Sequence, residues 1–215
     1  MKKVGIIGIG SYLPDTILSN IDLEKMVDTS DEWIVNRTGI RERRIADNEY
    51  ASSDLGAKAA IKAIDHAKLS VEDIDLIIST SASPDKIFPS TACIIQDKIG
   101  AVKAAAFDVQ AGCTGFVYGL TTAVQFILGG LYKNILVIGT EVLSKITDWE
   151  DRNTCILFGD GAGAVVISEV LSGGILASIL GSDGSGAELL ELPAGGSREP
   201  AGENTVQNRR HYIKM

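Results

Sequence analysis

The stretch AFDVQAGCTGFVYGL, residues 106–120, decides how this chain is read. Its first half belongs to an apolar run, AAAFDV at 104–109, short enough for a buried strand. A turn of Gln110, Ala111 and Gly112 follows. Phe116, Val117, Leu120, Val124, Ile127 and Leu128 then recur at helical spacing until Gly129-Gly130 stops the helix. A strand, a tight turn and a buried helix are therefore expected, with Cys113 opening the helix. At a helix N-terminus the dipole and the unpaired N–H groups stabilise negative charge. The small neighbours Ala111, Gly112, Thr114 and Gly115 leave room for a substrate to approach the sulfur. Acyl-thioester chemistry suits such a thiol. On position alone, a small buried cysteine filling a tight turn is the competing reading.

Outward from this stretch, short apolar runs alternate with helical patterns. VGIIGIG at 4–10, DLIISTS at 75–81 and NILVIGT at 134–140 read as strands, and SDLGAKAAIKAIDHA at 53–67 as a helix. CILFGDGAGAVVIS at 155–168 and GGILASILGS at 173–182 read as two further strands with no helix between them, so the expected α/β sheet is mixed. Beyond residue 183 the chain becomes rich in Gly, Pro, Ser and charge, and a long loop is expected. HYIKM at 211–215 has the look of a strand just beginning, so the expectation is a chain that stops inside an element.

Composition narrows the function classes. The formal charge of −8 argues against nucleic acid as a partner, which would call for excess Lys and Arg. No window approaches the roughly 18 uninterrupted apolar residues of a membrane span, and a cytoplasmic location is expected. Cys93, Cys113 and Cys155 share no metal-ligand spacing, and His66 and His211 are the only histidines, so neither a metal site nor a disulfide framework is expected. Cys93 and Cys155 lie in apolar runs and read as buried packing. The glycine-rich FGDGAGA at 158–164 lacks the lysine of a phosphate-binding loop and reads as close backbone packing.

In SDEWIVNRTGIRERR, residues 30–44, an indole stands among guanidinium groups, a pairing that suits an adenine nucleotide; a core tryptophan beside a solvated basic face is the alternative. Together with FPSTACIIQDKIGA at 88–101, DRNTCILFGDGAGAVVIS at 151–168 and the segment around Cys113, this stretch resembles the β-ketoacyl-acyl-carrier-protein synthase III family of thiolase-fold condensing enzymes. The four motifs stand in order and span essentially the whole chain.

The resemblance implies a thiolase-like layered α/β fold, with residues 1–170 as the half that carries the nucleophile and 171–215 as the start of a second half. It implies an acyltransferase that initiates fatty acid biosynthesis. Cys113 would take an acyl group from an acyl-coenzyme A, and condensation with malonyl-acyl carrier protein would follow. Coenzyme A serves as substrate, no separate cofactor is implied, and the enzyme is a homodimer. Carried over residue by residue, Trp33 stacks on adenine, Arg152 covers the opposite adenine face, Arg37 lies near the phosphates and Thr29 close by. Phe88 closes the partner's acyl pocket, and Leu143, Leu157, Phe158 and Leu190 match other pocket-lining positions or serve as ordinary core. Arg41, Arg43 and Arg44 raise the local potential for an anionic ligand or acidic carrier. The family's catalytic histidine and asparagine have no match here, so an incompetent fragment that acts at most as an association partner is the second expectation. A condensing enzyme of secondary metabolism is the third.

Overall fold

The computed structural model describes residues 2–215. In chain order the elements are β1 (Lys3–Tyr12), β2 (Thr16–Ser19), α1 (Asn20–Leu23), α2 (Asp31–Thr38), β3 (Glu42–Ile45), α3 (Ser52–His66) and β4 (Leu76–Thr80). They continue with α4 (Thr91–Ile99), β5 (Ala105–Val109), α5 (Gly115–Leu128), β6 (Ile135–Val142), β7 (Asp160–Val170) and α6 (Glu203–Gln207). Two compact units are interleaved along the chain. One comprises residues 1–14, 46–141 and 161–180, and the other comprises 15–45, 142–160 and 181–215.

The first unit is built on a five-stranded sheet of order β1-β7-β6-β4-β5. β4 runs parallel to β5 and β6, whereas β1 and β7 pair antiparallel, so the sheet is mixed as expected. Parallel neighbours need a crossover, which α4 and α5 supply. The β4 residues Leu76, Ile77 and Ile78 and the β6 residues Ile135, Leu136, Val137 and Ile138 are buried, as strands covered on both faces must be. Ala123, Val124 and Ile127 of α5 close one side of this core.

β1 reaches its helix through missing side chains. A Cβ on Gly8 would lie 2.2 Å from the Ala63 carbonyl oxygen, and one on Gly10 would lie 2.3 Å from that of Ala59. The two glycines share a face of β1, and α3 rests its small residues Ala59 and Ala63 there, both fully buried. At the helix end, His66 Nδ1 accepts from the Ile9 N–H at 3.1 Å, so this histidine has a structural partner.

The expected strand at 173–182 does not form. Gly173 and Gly174 take φ of 70° and 112°, and only the Ile175 N–H reaches β1, at the Val4 carbonyl. Leu176 and Ile179 are almost fully exposed. An apolar run reads as a strand only where a neighbour accepts its ladder, and β1 accepts one bond here, just after the glycine pair. The strand read from 155 starts at Asp160, because 151–157 is wound into consecutive turns.

In the second unit, β2 and β3 form an antiparallel pair, and Leu23, Ile34, Cys155 and Ile156 make a small core. The expected loop after residue 183 is held rather than free. Asp148, nearly buried, accepts from the Arg209 guanidinium and lies 3.6 Å from Lys214 Nζ; Arg210 pairs with Glu199, and the Ile213 N–H donates to the Ile146 carbonyl at 2.9 Å. HYIKM contributes a single antiparallel bridge, Lys214 to Glu191, where a strand was expected.

Two outcomes are expected. Gly10→Ala should cost about 3 kcal/mol, because the new methyl meets backbone that cannot rotate aside, and a urea midpoint measures it. Hydrogen bonds from Arg209 hold the Asp148 carboxyl below the usual carboxylate range against the opposing effect of burial. A depressed carboxyl stabilises the fold above its unfolded value of about 4 and loses that contribution as pH falls through the lower folded value. Arg209→Met should therefore lose less stability than the unmodified protein between about pH 7 and about pH 3.

Candidate active site

Cys113 stands in a single 3-10 turn, Gly112–Thr114, between β5 and α5. The helix thus begins two residues later than expected, at Gly115, and Cys113 precedes its first turn. Gly112 takes φ of 51°, a left-handed turn conformation that suits glycine. The Thr114 hydroxyl donates to the Ala111 carbonyl at 2.9 Å and braces the turn. The turn lies at the carboxyl ends of β4 and β5, where the register sets Thr80 against Val109. In open α/β sheets this is the edge where ligands meet helix N-termini.

Two glycines bring α5 down onto this edge. A Cβ on Gly115 would come within 3.2 Å of Thr80 Cβ, and one on Gly119 within 3.0 Å of Thr80 Cγ2 and 3.2 Å of Val137 Cγ1. The helix is buried along the face that carries Gly115, Gly119, Ala123 and Ile127, whereas Val117 and Leu128, both part of its apolar pattern, are exposed.

The three cysteines have different surroundings. Cys113 is exposed, and so is Cys93, which corrects the expectation that Cys93 is packed inside. Cys93 lies on the outer side of α4, and its thiol donates to the Ala106 carbonyl at 3.7 Å. Cys155 is fully buried; burial pushes its thiol up, and the neighbouring Arg43 charge opposes that shift.

Within the second unit, Trp33 occupies the third position of α2. Ser30 caps the helix through the Trp33 N–H at 3.1 Å, and Gly39, with φ of 75°, ends it. Arg37, one turn along, holds its guanidinium 5.1 Å from the indole centroid, and Arg152 holds its own at 5.0 Å. Arg152 also pairs with Asp28 at 3.4 Å. Thr29 Oγ1 is buried and has no hydrogen-bond partner. An indole with two guanidinium groups over it, and an orphaned hydroxyl four residues earlier in the chain, is a set of groups fit for a phosphorylated adenine nucleotide. Trp33 is also partly buried against the small core, the packing that the core reading expects.

The structure therefore brings together Trp33, Arg37 and Arg152. Arg41 is exposed, but Arg43 is 4% exposed and cannot offer its charge to a ligand surface, which corrects the expectation for that residue. Among the pocket candidates, Phe88 is 82% exposed, next to exposed Ile87 and a cis Pro89. The loop before it is tied down by Glu141, which accepts from the Ala82 and Ser83 N–H groups at 2.8 and 3.0 Å. Leu143, Leu157 and Phe158 are half-buried, and Leu190 is exposed. His211 lies against Tyr212 with ring centroids 4.0 Å apart and the planes tilted by 41°. Among the described residues no group of three His, Cys, Asp or Glu is placed to hold a metal ion, and no helix is long and apolar enough to cross a membrane. Asp28, Asn20 and Glu141 carry no signal in the sequence, since each acts only through partners distant along the chain.

Residues 107–184, which include Cys113, match the family model described as 3-oxoacyl-[acyl-carrier-protein (ACP)] synthase III. The chain is 54% identical over 219 residues to the β-ketoacyl-[acyl-carrier-protein] synthase III of Natranaerobius thermophilus, an alignment that takes in 100% of this chain and 67% of that protein. The chain belongs to the β-ketoacyl-acyl-carrier-protein synthase III family. The synthase III of Caldanaerobacter subterraneus subsp. tengcongensis is 60% identical over 212 residues, covering 98% of this chain and 64% of that protein. The crystal structure of the synthase III from Aquifex aeolicus VF5 superposes with a TM-score of 0.87 at 48% identity, over 100% of this chain and 64% of that one. The fold is thus the thiolase-like layered α/β fold, and the chain spans about two thirds of the length of these synthase III relatives.

Iodoacetamide on the folded protein should modify Cys113 fastest, Cys93 more slowly and Cys155 only after unfolding. The order follows from exposure, from the helix N-terminus beside Cys113 and from the Cys93 thiol proton engaged by a carbonyl. Peptide mapping over time checks it, and early modification of Cys155 would contradict the packing described.

Proposed function

We propose that this chain carries the acyl-accepting part of a β-ketoacyl-acyl-carrier-protein synthase III that starts fatty acid biosynthesis. The observation that carries the reading is the exposed Cys113 at the amino end of α5, within the stretch matched by the family. In the first half-reaction the Cys113 thiolate attacks the thioester carbonyl of an acyl-coenzyme A such as acetyl-coenzyme A. The tetrahedral intermediate expels the coenzyme A thiolate, which takes up a proton, and the acyl group remains on sulfur. Trp33 and Arg152 take the adenine, Arg37 lies near the phosphates, and the unpartnered Thr29 hydroxyl is available to the bound molecule. In the second half-reaction malonyl-acyl carrier protein loses carbon dioxide. The resulting enolate carbon attacks the acyl-Cys113 carbonyl, giving 3-oxoacyl-acyl carrier protein and restoring the thiolate.

The proposal extends to a homodimer in which exposed Phe88 enters the partner's acyl pocket, with Leu143, Leu157, Phe158 and Leu190 lining the protomer's own. It places the protein in the cytoplasm, with coenzyme A thioester as substrate and no further cofactor. His66 and His211 take no part, because one is bonded to β1 and the other is packed against Tyr212.

The two half-reactions depend on different groups, and this separates them experimentally. Acylation needs a nucleophile and a bound thioester. Decarboxylation needs donors aimed at the developing enolate oxygen, each worth about 10²–10³ in rate. Radiolabelled acetyl-coenzyme A should place label on the Cys113 peptide of this 215-residue chain, and Cys113→Ala should abolish it. Trp33→Ala should require higher acetyl-coenzyme A for the same labelling. Malonyl-acyl carrier protein added afterwards should leave the label on Cys113. Label on another residue would overturn the nucleophile assignment, and a condensed product would show that further residues of this chain supply the missing donors.

A further inference from the structure

We infer that Arg43, a buried residue outside the ligand-facing set, is the positioning residue that fixes the spacing between Trp33 and Arg152. This role rests on the coenzyme A reading above and deepens it, because it concerns how the adenine-binding surfaces are held rather than which ligand they take.

The Arg43 side chain joins the two arms on which those surfaces stand. Its Nε and Nη2 both donate to the Ile156 carbonyl, at 3.1 and 2.7 Å. Its Nη1 donates to Asn20 Oδ1 at 2.8 Å. Asn20, itself 1% exposed, passes the connection on: its amide donates to Asp31 Oδ1 and to the Ile40 carbonyl, each at 2.8 Å. Asp31 is the first residue of α2 and Trp33 the third, so this arm ends at the indole. The other arm runs from Ile156 back to Arg152 through a turn with little slack. Asp151 accepts there from the N–H groups of Asn153, Thr154 and Cys155 and from the Thr154 hydroxyl.

The energetics favour a geometric role over a filling one. A buried guanidinium is costly to desolvate, and Arg43 meets that cost with neutral acceptors, the Asp31 carboxylate standing one amide further along. A residue needed only for volume would be better served by an apolar chain. A planar fork that takes one carbonyl with two N–H groups and an amide oxygen with a third sets distance and angle together. Gly159 lets the fork seat, since a Cβ there would lie 3.2 Å from Arg43 Cβ.

The test titrates coenzyme A and 3′,5′-ADP, the adenine-bearing fragment, into the unmodified protein, Arg43→Lys and Asp31→Ala. Phosphopantetheine serves as the adenine-free probe. All are measured by calorimetry well below each variant's melting temperature, so that an effect on folding alone leaves the dissociation constants unmoved. Arg43→Lys keeps the charge and loses the fork; it should weaken both adenine ligands by about tenfold and leave phosphopantetheine unchanged. Asp31→Ala, which removes a half-exposed group at the far end of the chain of bonds, should weaken them in the same direction by a smaller factor, and it carries the test if Arg43→Lys does not fold. Unaltered affinity for 3′,5′-ADP in whichever variant folds overturns the positioning role. Equal loss for phosphopantetheine also overturns it. Failure of the unmodified protein to bind either adenine ligand overturns the coenzyme A reading itself, and the role of Arg43 with it.

Discussion

The close seating of α5 on the parallel strands is the constraint from which the nucleophile's position follows. Gly115 and Gly119 let the helix backbone approach Thr80 so closely that a Cβ at either position would crowd its side chain, at 3.2 and 3.0 Å. A helix held that close cannot slide along its axis without driving Phe116 or Leu120 out of the core they border. The turn before it is therefore fixed at the carboxyl ends of β4 and β5. Cys113 is exposed because of this packing, and Gly112 and Thr114 set its turn. Stability and reactivity thus divide along the chain within four residues: Gly115 packs, and Cys113 faces solvent.

The second unit solves a different problem, because its adenine candidates sit on short elements with little core beneath them. An eight-residue helix is marginal alone. What holds α2 is a cap at each end, the burial of Ile34 and a hydrogen-bonded path of buried polar groups. Buried polar networks give unique geometry only when every member is satisfied. Here Asn20 uses both ends of its amide and Arg43 three of its donors, while the buried Thr29 Oγ1, which has no hydrogen-bond partner, belongs to the candidate binding surface.

Much of this was legible in the sequence, and the failures share a cause. The strands of the first unit's core, α3 and α5 were readable because their periodicity is local and their glycines punctuate it. Cys113 was readable because a strand, a turn and a helix converge on it. Residues 173–182 misled because apolarity reports what a segment can bury and not whether a neighbour offers a ladder. Cys93 misled in the same way: its apolar run is one helix, and Cys93 occupies the side away from Ala92 and Ile95. Arg43 and Asn20 were illegible because their partners lie 113 and 20 residues away, and only the folded chain brings those acceptors into reach.

The ligand-free arrangement at Trp33 also bears on how an adenine would enter. Both guanidinium groups already lie about 5 Å from the indole centroid, so the indole is partly occupied by the side chains expected to serve the ligand. At exposed sites such a cation–π interaction is worth only about 0.5–1 kcal/mol. An incoming adenine would stack on the same ring, and the phosphates of the ligand would offer a displaced guanidinium charge-assisted, bidentate hydrogen bonds stronger than its attraction to the indole. Asp28 is fully exposed where it pairs with Arg152, so that pair is also readily given up. On the proposed reading the exchange would cost little, since each guanidinium would trade a weak contact with the indole for contact with the ligand.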